Sequence, residues 1–269
     1  MTRKIDETDT DMTFGEHLEE LRKILLLVLI VLLVSFLVLF TFFGKDILEL
    51  VFYPSYKDFV TNKLLSGLAN ITGIEIFKIN ENGVNMFNNS LSGQFMLHVK
   101  SSLVASFIVC FPYIIYQLWS FVRPALDVDV RRKSRMMVWK VVFWFMLGTS
   151  FSYFIVAPLA INFLANYEAN ANISNIIDVN SYLSTVLGVS LSGGLIFQLP
   201  LLVRLLASIG LITSDWMKRN RKIAIVILLT LSAIITPPDV MSQCLLFIPF
   251  YVLYEYSISI AKKIEKVNI

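Results

Sequence analysis

The sequence predicts an all-α polytopic membrane protein with six transmembrane helices, the last two short. Three observations carry that reading. Apolar residues make up 56% of the 269 and charged residues only 16%, with a mean hydropathy of +0.70, which excludes an ordinary soluble domain. Uncharged runs cover 24–44, 101–122, 141–167 and 179–203, each at or above the roughly 20 residues needed to cross a bilayer, and shorter ones cover 223–238 and 240–254. No run alternates as a barrel strand between lipid and lumen would, so the spans are helices.

In chain order, the first 23 residues are polar. The run behind them exceeds a signal-peptide core and lacks a small-residue cleavage site, so it is expected to be a retained helix. A single domain over 1–269 is expected, with spans at about 24–43, 97–120, 137–160, 182–207, 223–236 and 241–260. Between the first two lies a long external loop, 44–94. Its first half places apolar residues irregularly (Val51, Phe52, Tyr53, Phe59, Leu64), as in a short interfacial helix, and 80–93 is Asn- and Gly-rich loop. The fifth span is confined between Lys222 and the Thr236-Pro237-Pro238-Asp239 turn, and the sixth meets Pro249 and then Glu255. Both are therefore expected to be short.

Lysines and arginines orient the spans, because basic flanks are held on the cytoplasmic side during insertion. Sixteen fall before the first span, at 123–135, at 218–222 and in the tail, against four in the alternate segments, all within 44–94. Both termini are thus expected in the cytoplasm, with a bacterial plasma (inner) membrane as the default location. The net charge of +3 lies between spans and does not indicate a nucleic-acid partner. Cys110 and Cys244 lie inside apolar runs, as buried small residues rather than a disulfide or metal framework.

Catalytic chemistry finds no footing. The chain has no His-Glu-x-x-His, no Gly-x-Ser-x-Gly, no phosphate loop and no paired intramembrane aspartates, and His17 and His98 stand alone. No enzyme activity, cofactor or metal is expected. The polar residues that lipid should discourage are Gln198, Glu255 and the pair Asp239 and Gln243 at an external turn. Gln198 sits between Gly193-Gly194 and Pro200, where a local break frees backbone groups and lets another helix approach. Its amide can donate and accept, which suits docking of a polar group on a partner helix. A polytopic secondary transporter for a small solute is the alternative reading, with Gln198 and Glu255 as its only candidate midplane groups.

Several segments together resemble the TatC family, the multi-spanning core subunit of the twin-arginine (Sec-independent) protein translocase. They are HLEELRK (17–23), FYPSY around Pro54, FPYIIYQLWSFVRPAL (111–126) before Arg131-Arg132, YFIVAPLAINFL (153–164), SYL (181–183), FQLP (197–200), TPPDVMSQ (236–243) and IPFYVLYE (248–255). The resemblance covers nearly the whole chain and rests on order and spacing. It implies a signal-peptide receptor and core channel subunit moving folded proteins across an energised membrane. Implied partners are TatA-type and TatB-type single-span proteins, folded precursors with twin-arginine signal peptides, the lipid bilayer and further copies of the chain. By the same resemblance Glu20 occupies the family's signal-contacting glutamate, with Leu21, Arg22, Phe121 and Pro124 beside it. The family's second glutamate position holds Val130 here, and Asp127 and Asp129 are the nearest carboxylates. Many relatives carry Glu at the position of Gln198. Pro200 shares its partner-docking segment, and Pro54, Asp239, Gln243 and Glu255 are the remaining structural or functional positions.

The charge count makes a direct prediction. A cysteine introduced near Asn172 should react with an impermeant reagent from outside and one near Asp129 only from inside; the reverse pattern would refute the six-span arrangement.

Overall fold

The computed structural model describes residues 14–72, 86–122, 128–166, 176–235 and 240–268. Among them the chain is almost wholly helical. The first apolar run forms α1 (Phe14–Phe42). It ends at Phe43, where the backbone leaves helical geometry before α2 (Gly44–Phe52). A 3₁₀ turn (Tyr53–Ser55) leads to α3 (Val60–Thr72), so the first half of the 44–94 segment holds two helices where one was expected. The second long run gives α4 (Gly93–Val122). The third gives α5 (Val128–Phe151), a π-helical turn (Ser152–Val156) and α6 (Ala157–Asn166). The fourth is divided into α7 (Val179–Ile196) and α8 (Leu199–Ser208). Then come α9 (Ser214–Arg219), α10 (Arg221–Ile235) and α11 (Val240–Asn268).

Among the described residues, four helical stretches are long and apolar enough to cross a membrane: Leu18–Phe42, Gly93–Phe121, Val138–Ala165 and Val179–Ser208. The helix α10 is short, since its 15 residues cover about 22 Å against a hydrocarbon core of about 30 Å. The helix α11 runs for 29 residues, but its uncharged stretch, 240–254, is as brief as expected for the last span. Its charged half is held by contacts that the hydropathy pattern does not display. Ile258 and Ala261 pack with Val203, Ala207 and Met217, and Ile264 closes the edge of that cluster. The Ser214 hydroxyl and amide both donate to the Glu265 carboxylate, and the Tyr254 hydroxyl donates to the Met217 carbonyl at 2.9 Å. On the short helix between these contacts, Lys218 lies 2.9 Å from Asp215 and holds that carboxyl below its usual range.

A second departure concerns 80–93. Met86–Phe87 forms a two-residue strand, β1, that pairs in parallel with β2 (Ile177–Asp178), so the two loops meet. Asp178 then caps α7 by accepting the Ser181 amide.

The helix α7 is the central post of the fold. Tyr182, Leu183, Val186, Val189 and Ile196 are buried among α2, α4, α6, α10 and α11 side chains. On α5 the contact is backbone to backbone. A Cβ on Gly148 would stand 2.6 Å from the Gly193 carbonyl oxygen, and one on Gly193 would stand 1.7 Å from the Ser152 hydroxyl. Small residues permit such an approach, which in lipid supplies dispersion energy where no hydrophobic force acts between helices.

At the end of the molecule that carries α2, the free carbonyls of that helix are met by side chains from the spans. The Tyr153 hydroxyl donates to Leu50, the Tyr182 hydroxyl to Val51 at 3.1 Å, and Ser55 to Phe52 at 2.6 Å. Pro54 is fully buried in the turn that follows, and the Asn62 amide donates to the Pro54 and Tyr56 carbonyls. Thr61 ties α3 to the π-helical turn through the Phe154 carbonyl.

Gly148→Ala should therefore cost about 1–3 kcal/mol by overpacking a contact whose nearest atom is backbone. Gly67→Ala, where a Cβ meets nothing within 4 Å, should be neutral or stabilising. Thermal unfolding of the detergent-purified variants checks both, and equal midpoints would contradict the crossing described.

Candidate functional site

The charged start of α1 carries two adjacent glutamates, and the structure separates them. Glu19 is spent on an i,i+4 ion pair with Lys23 at 3.0 Å, both side chains largely exposed. Glu20, on the neighbouring face, is half-buried, and its Oε2 is enclosed without a hydrogen-bond partner. An enclosed carboxylate oxygen in that condition is costly, and a cation that reaches it restores the lost bonding. Leu21 is half-buried beside it and Arg22 is exposed.

The main packing partner of α1 is α4. The two helices run antiparallel. Phe40 stacks on His98 with centroids 4.1 Å apart and meets Phe95 edge-on at 6.2 Å. Twenty residues back from Phe40 is Glu20, and twenty forward from Phe95 and His98 are Ile115 and Leu118. Glu20 is thus level with the last turns of α4, where Trp119 and Phe121 are half-buried. Asp129 lies in the first turn of α5. Pro124 and Asp127 lie outside the described residues.

Gln198 occupies the hinge between α7 and α8. Its amide nitrogen donates back to the Gly194 carbonyl at 3.2 Å, while its Oε1 is enclosed and unpartnered. Its own backbone carbonyl accepts both the Leu201 and Leu202 amides. Pro200, fully buried, has no amide to offer at this point and fits the second position of α8. The break expected from Gly193-Gly194 and Pro200 is present, and the buried Phe197 ring anchors it against Phe151 at 5.6 Å. A cavity of about 260 Å³ lies between α2, α4, α5 and α7, with Val51, Ser101, Ile108, Thr149 and Val186 in its wall. Neither Gln198 nor Glu20 lines it.

Gln243 and Glu255 knit α10 to α11. The Gln243 amide donates to the Leu229 carbonyl at 3.0 Å. Glu255 receives a two-pronged contact from Arg221, 2.8 Å through each of two guanidinium nitrogens, and a bond from the Tyr251 hydroxyl at 2.9 Å. Arg221 was legible in the sequence only as one of four basic residues at 218–222; its partner 34 positions on could not be read from spacing. Asp239 lies outside the described residues.

Comparison with known proteins follows this geometry closely. Residues 16–249 match the family described as Sec-independent protein translocase protein (TatC). A relative from Blattabacterium sp. subsp. Periplaneta americana (strain BPLAN), the Sec-independent protein translocase protein TatC, is 34% identical over 260 residues, covering 95% of this chain and 97% of that one. A protein of the same name from Helicobacter pylori (strain J99 / ATCC 700824) is 36% identical over 249 residues, 93% of this chain and 88% of its own. A crystal structure of the twin arginine translocase receptor TatC superposes with a TM-score of 0.73 at 31% identity, covering 93% of this chain and 100% of the other.

Proposed function

Because the chain belongs to the TatC family, we propose that it is the signal-peptide receptor and core channel subunit of a twin-arginine translocase. In that role it passes folded proteins across an energised bacterial inner membrane. It is an integral membrane protein and a subunit of a larger complex. The observation that carries the receptor reading is the Glu20 carboxylate: held at the start of α1, unpaired at Oε2 and set apart from the Glu19–Lys23 pair. A guanidinium stays charged under all physiological conditions and prefers a fixed planar carboxylate, so a signal with consecutive arginines fits this group. Leu21, Arg22, Phe121 and Pro124 belong to the same contact surface, and Asp127 or Asp129 supplies the second carboxylate where Val130 cannot. The charge pattern supports a cytoplasmic position for this surface, where precursors arrive.

The partner-docking role falls to Gln198 with Pro200. Its enclosed Oε1 accepts from a donor such as a protonated carboxyl group on the membrane helix of a TatA-type or TatB-type protein, and no ion enters the bilayer. The hinge that holds it lies directly beyond the glycine crossing. A small-solute transporter fits less well, since Glu255 is already engaged by Arg221 and Tyr251.

Glu20→Ala should weaken binding of a twin-arginine precursor by about 1.5–3 kcal/mol at low ionic strength, and by less in salt, without lowering thermal stability. Unchanged affinity, measured with purified protein in lipid nanodiscs, would refute the assignment. A photocrosslinker at position 198 should capture a single-span partner in membranes, and capture of lipid alone would leave the docking role without support.

A further inference from the structure

We propose that Trp119 is a second signal-peptide contact, its indole N–H donating to a main-chain carbonyl of the peptide whose arginine is held by Glu20. The inference rests on the receptor reading above and extends it to the peptide backbone. Trp119 is half-buried near the end of α4, and its Nε1 is fully enclosed with no acceptor. An indole N–H has only one thing to give, a single donated bond, and leaving it unmade in an enclosed setting costs free energy.

Position makes the vacancy informative. Counted along the two helices from the Phe40 contact with Phe95 and His98, and past Pro112 in α4, Glu20 falls within about one helical turn of the level of Trp119. Both residues are half-buried, and α1 has α4 as its main neighbour. At one end of one helix pair there are thus an unpartnered acceptor, Glu20 Oε2, and an unpartnered donor, Trp119 Nε1, that do not bond to each other. A free cation or a single arginine side chain would satisfy only the acceptor. A peptide that carries an arginine offers both complements: guanidinium N–H groups for the carboxylate and a backbone carbonyl for the indole. The pair therefore reads main chain as well as charge, which fixes the direction and depth of the bound segment.

The test uses the full-length protein in detergent with 15N-labelled tryptophan and a synthetic peptide carrying two consecutive arginines. Four indole N–H resonances are available, one for each of Trp119, Trp139, Trp144 and Trp216, and Trp119→Phe assigns the relevant one. Peptide addition should move the Trp119 indole proton downfield, as hydrogen bonding to an oxygen does, and Trp119→Phe should lower peptide affinity about three- to tenfold. Glu20→Gln should abolish the shift at the same peptide concentration. If Glu20→Gln weakens binding while Trp119→Phe binds normally and the wild-type indole signal does not move, this contact is wrong and the receptor reading survives. If Glu20→Gln leaves affinity unchanged, both fall together. The wild-type resonance needs no variant to fold, so the proposal stays exposed to refutation even if Trp119→Phe is unstable.

Discussion

The contact on which the rest of the structure depends is the glycine-lined crossing of α5 and α7. Gly148, Gly193 and Gly194 bring two backbones to a distance that any side chain would prevent, and Ser152 and Thr149 fill the remaining space. Between helices in lipid, where burying apolar surface gains nothing, attraction must come from such close packing and from hydrogen bonds. The close approach has a second effect: it traps the Phe197 ring directly beyond the crossing. The chain then cannot continue as one straight helix through Gln198 and Pro200, and the hinge that presents the Gln198 amide follows from that packing.

The α2 end meets a different constraint. A helix that stops leaves its last carbonyl groups without partners in the helix. Here the hydroxyls of Tyr153 and Tyr182 reach α2 from the third and fourth apolar runs, and Ser55 completes the set. The two tyrosine bonds connect residues more than a hundred positions apart, so the segment after the first span is part of the helical framework rather than an appendage. Asn62 does comparable work for the turn around Pro54 and Tyr56.

How much of this was legible in the sequence varies with the kind of interaction. Long uncharged runs and the Gly193-Gly194/Pro200 cluster announced the four long apolar helices and the hinge, because both depend on local composition. Composition could not announce the length of α11, whose charged half is stabilised by Glu265 on Ser214 and by Ile258 and Ala261 in a distant cluster. The β1–β2 pairing was equally hidden, since two residues per strand carry no period. At the candidate site the resemblance carried by HLEELRK singled out Glu20, and packing adds the physical distinction, since Lys23 neutralises Glu19 and not Glu20. Glu255 was visible as an anomaly in an apolar run, and its resolution by Arg221 required the antiparallel pairing of α10 and α11.

The α5–α7 crossing holds one polar hinge at Gln198, while α1, packed on α4, carries the Glu20 carboxylate on which the proposed receptor role rests. The central claim is that this carboxylate recognises paired arginines on folded cargo. The most direct measurement is export of a folded reporter in cells whose own protein of this family has been replaced by this chain. The account predicts export of a reporter bearing a twin-arginine signal and its loss when both arginines become lysine, since a lysine keeps the charge but not the planar fork. Equal export with the twin-lysine signal would contradict it.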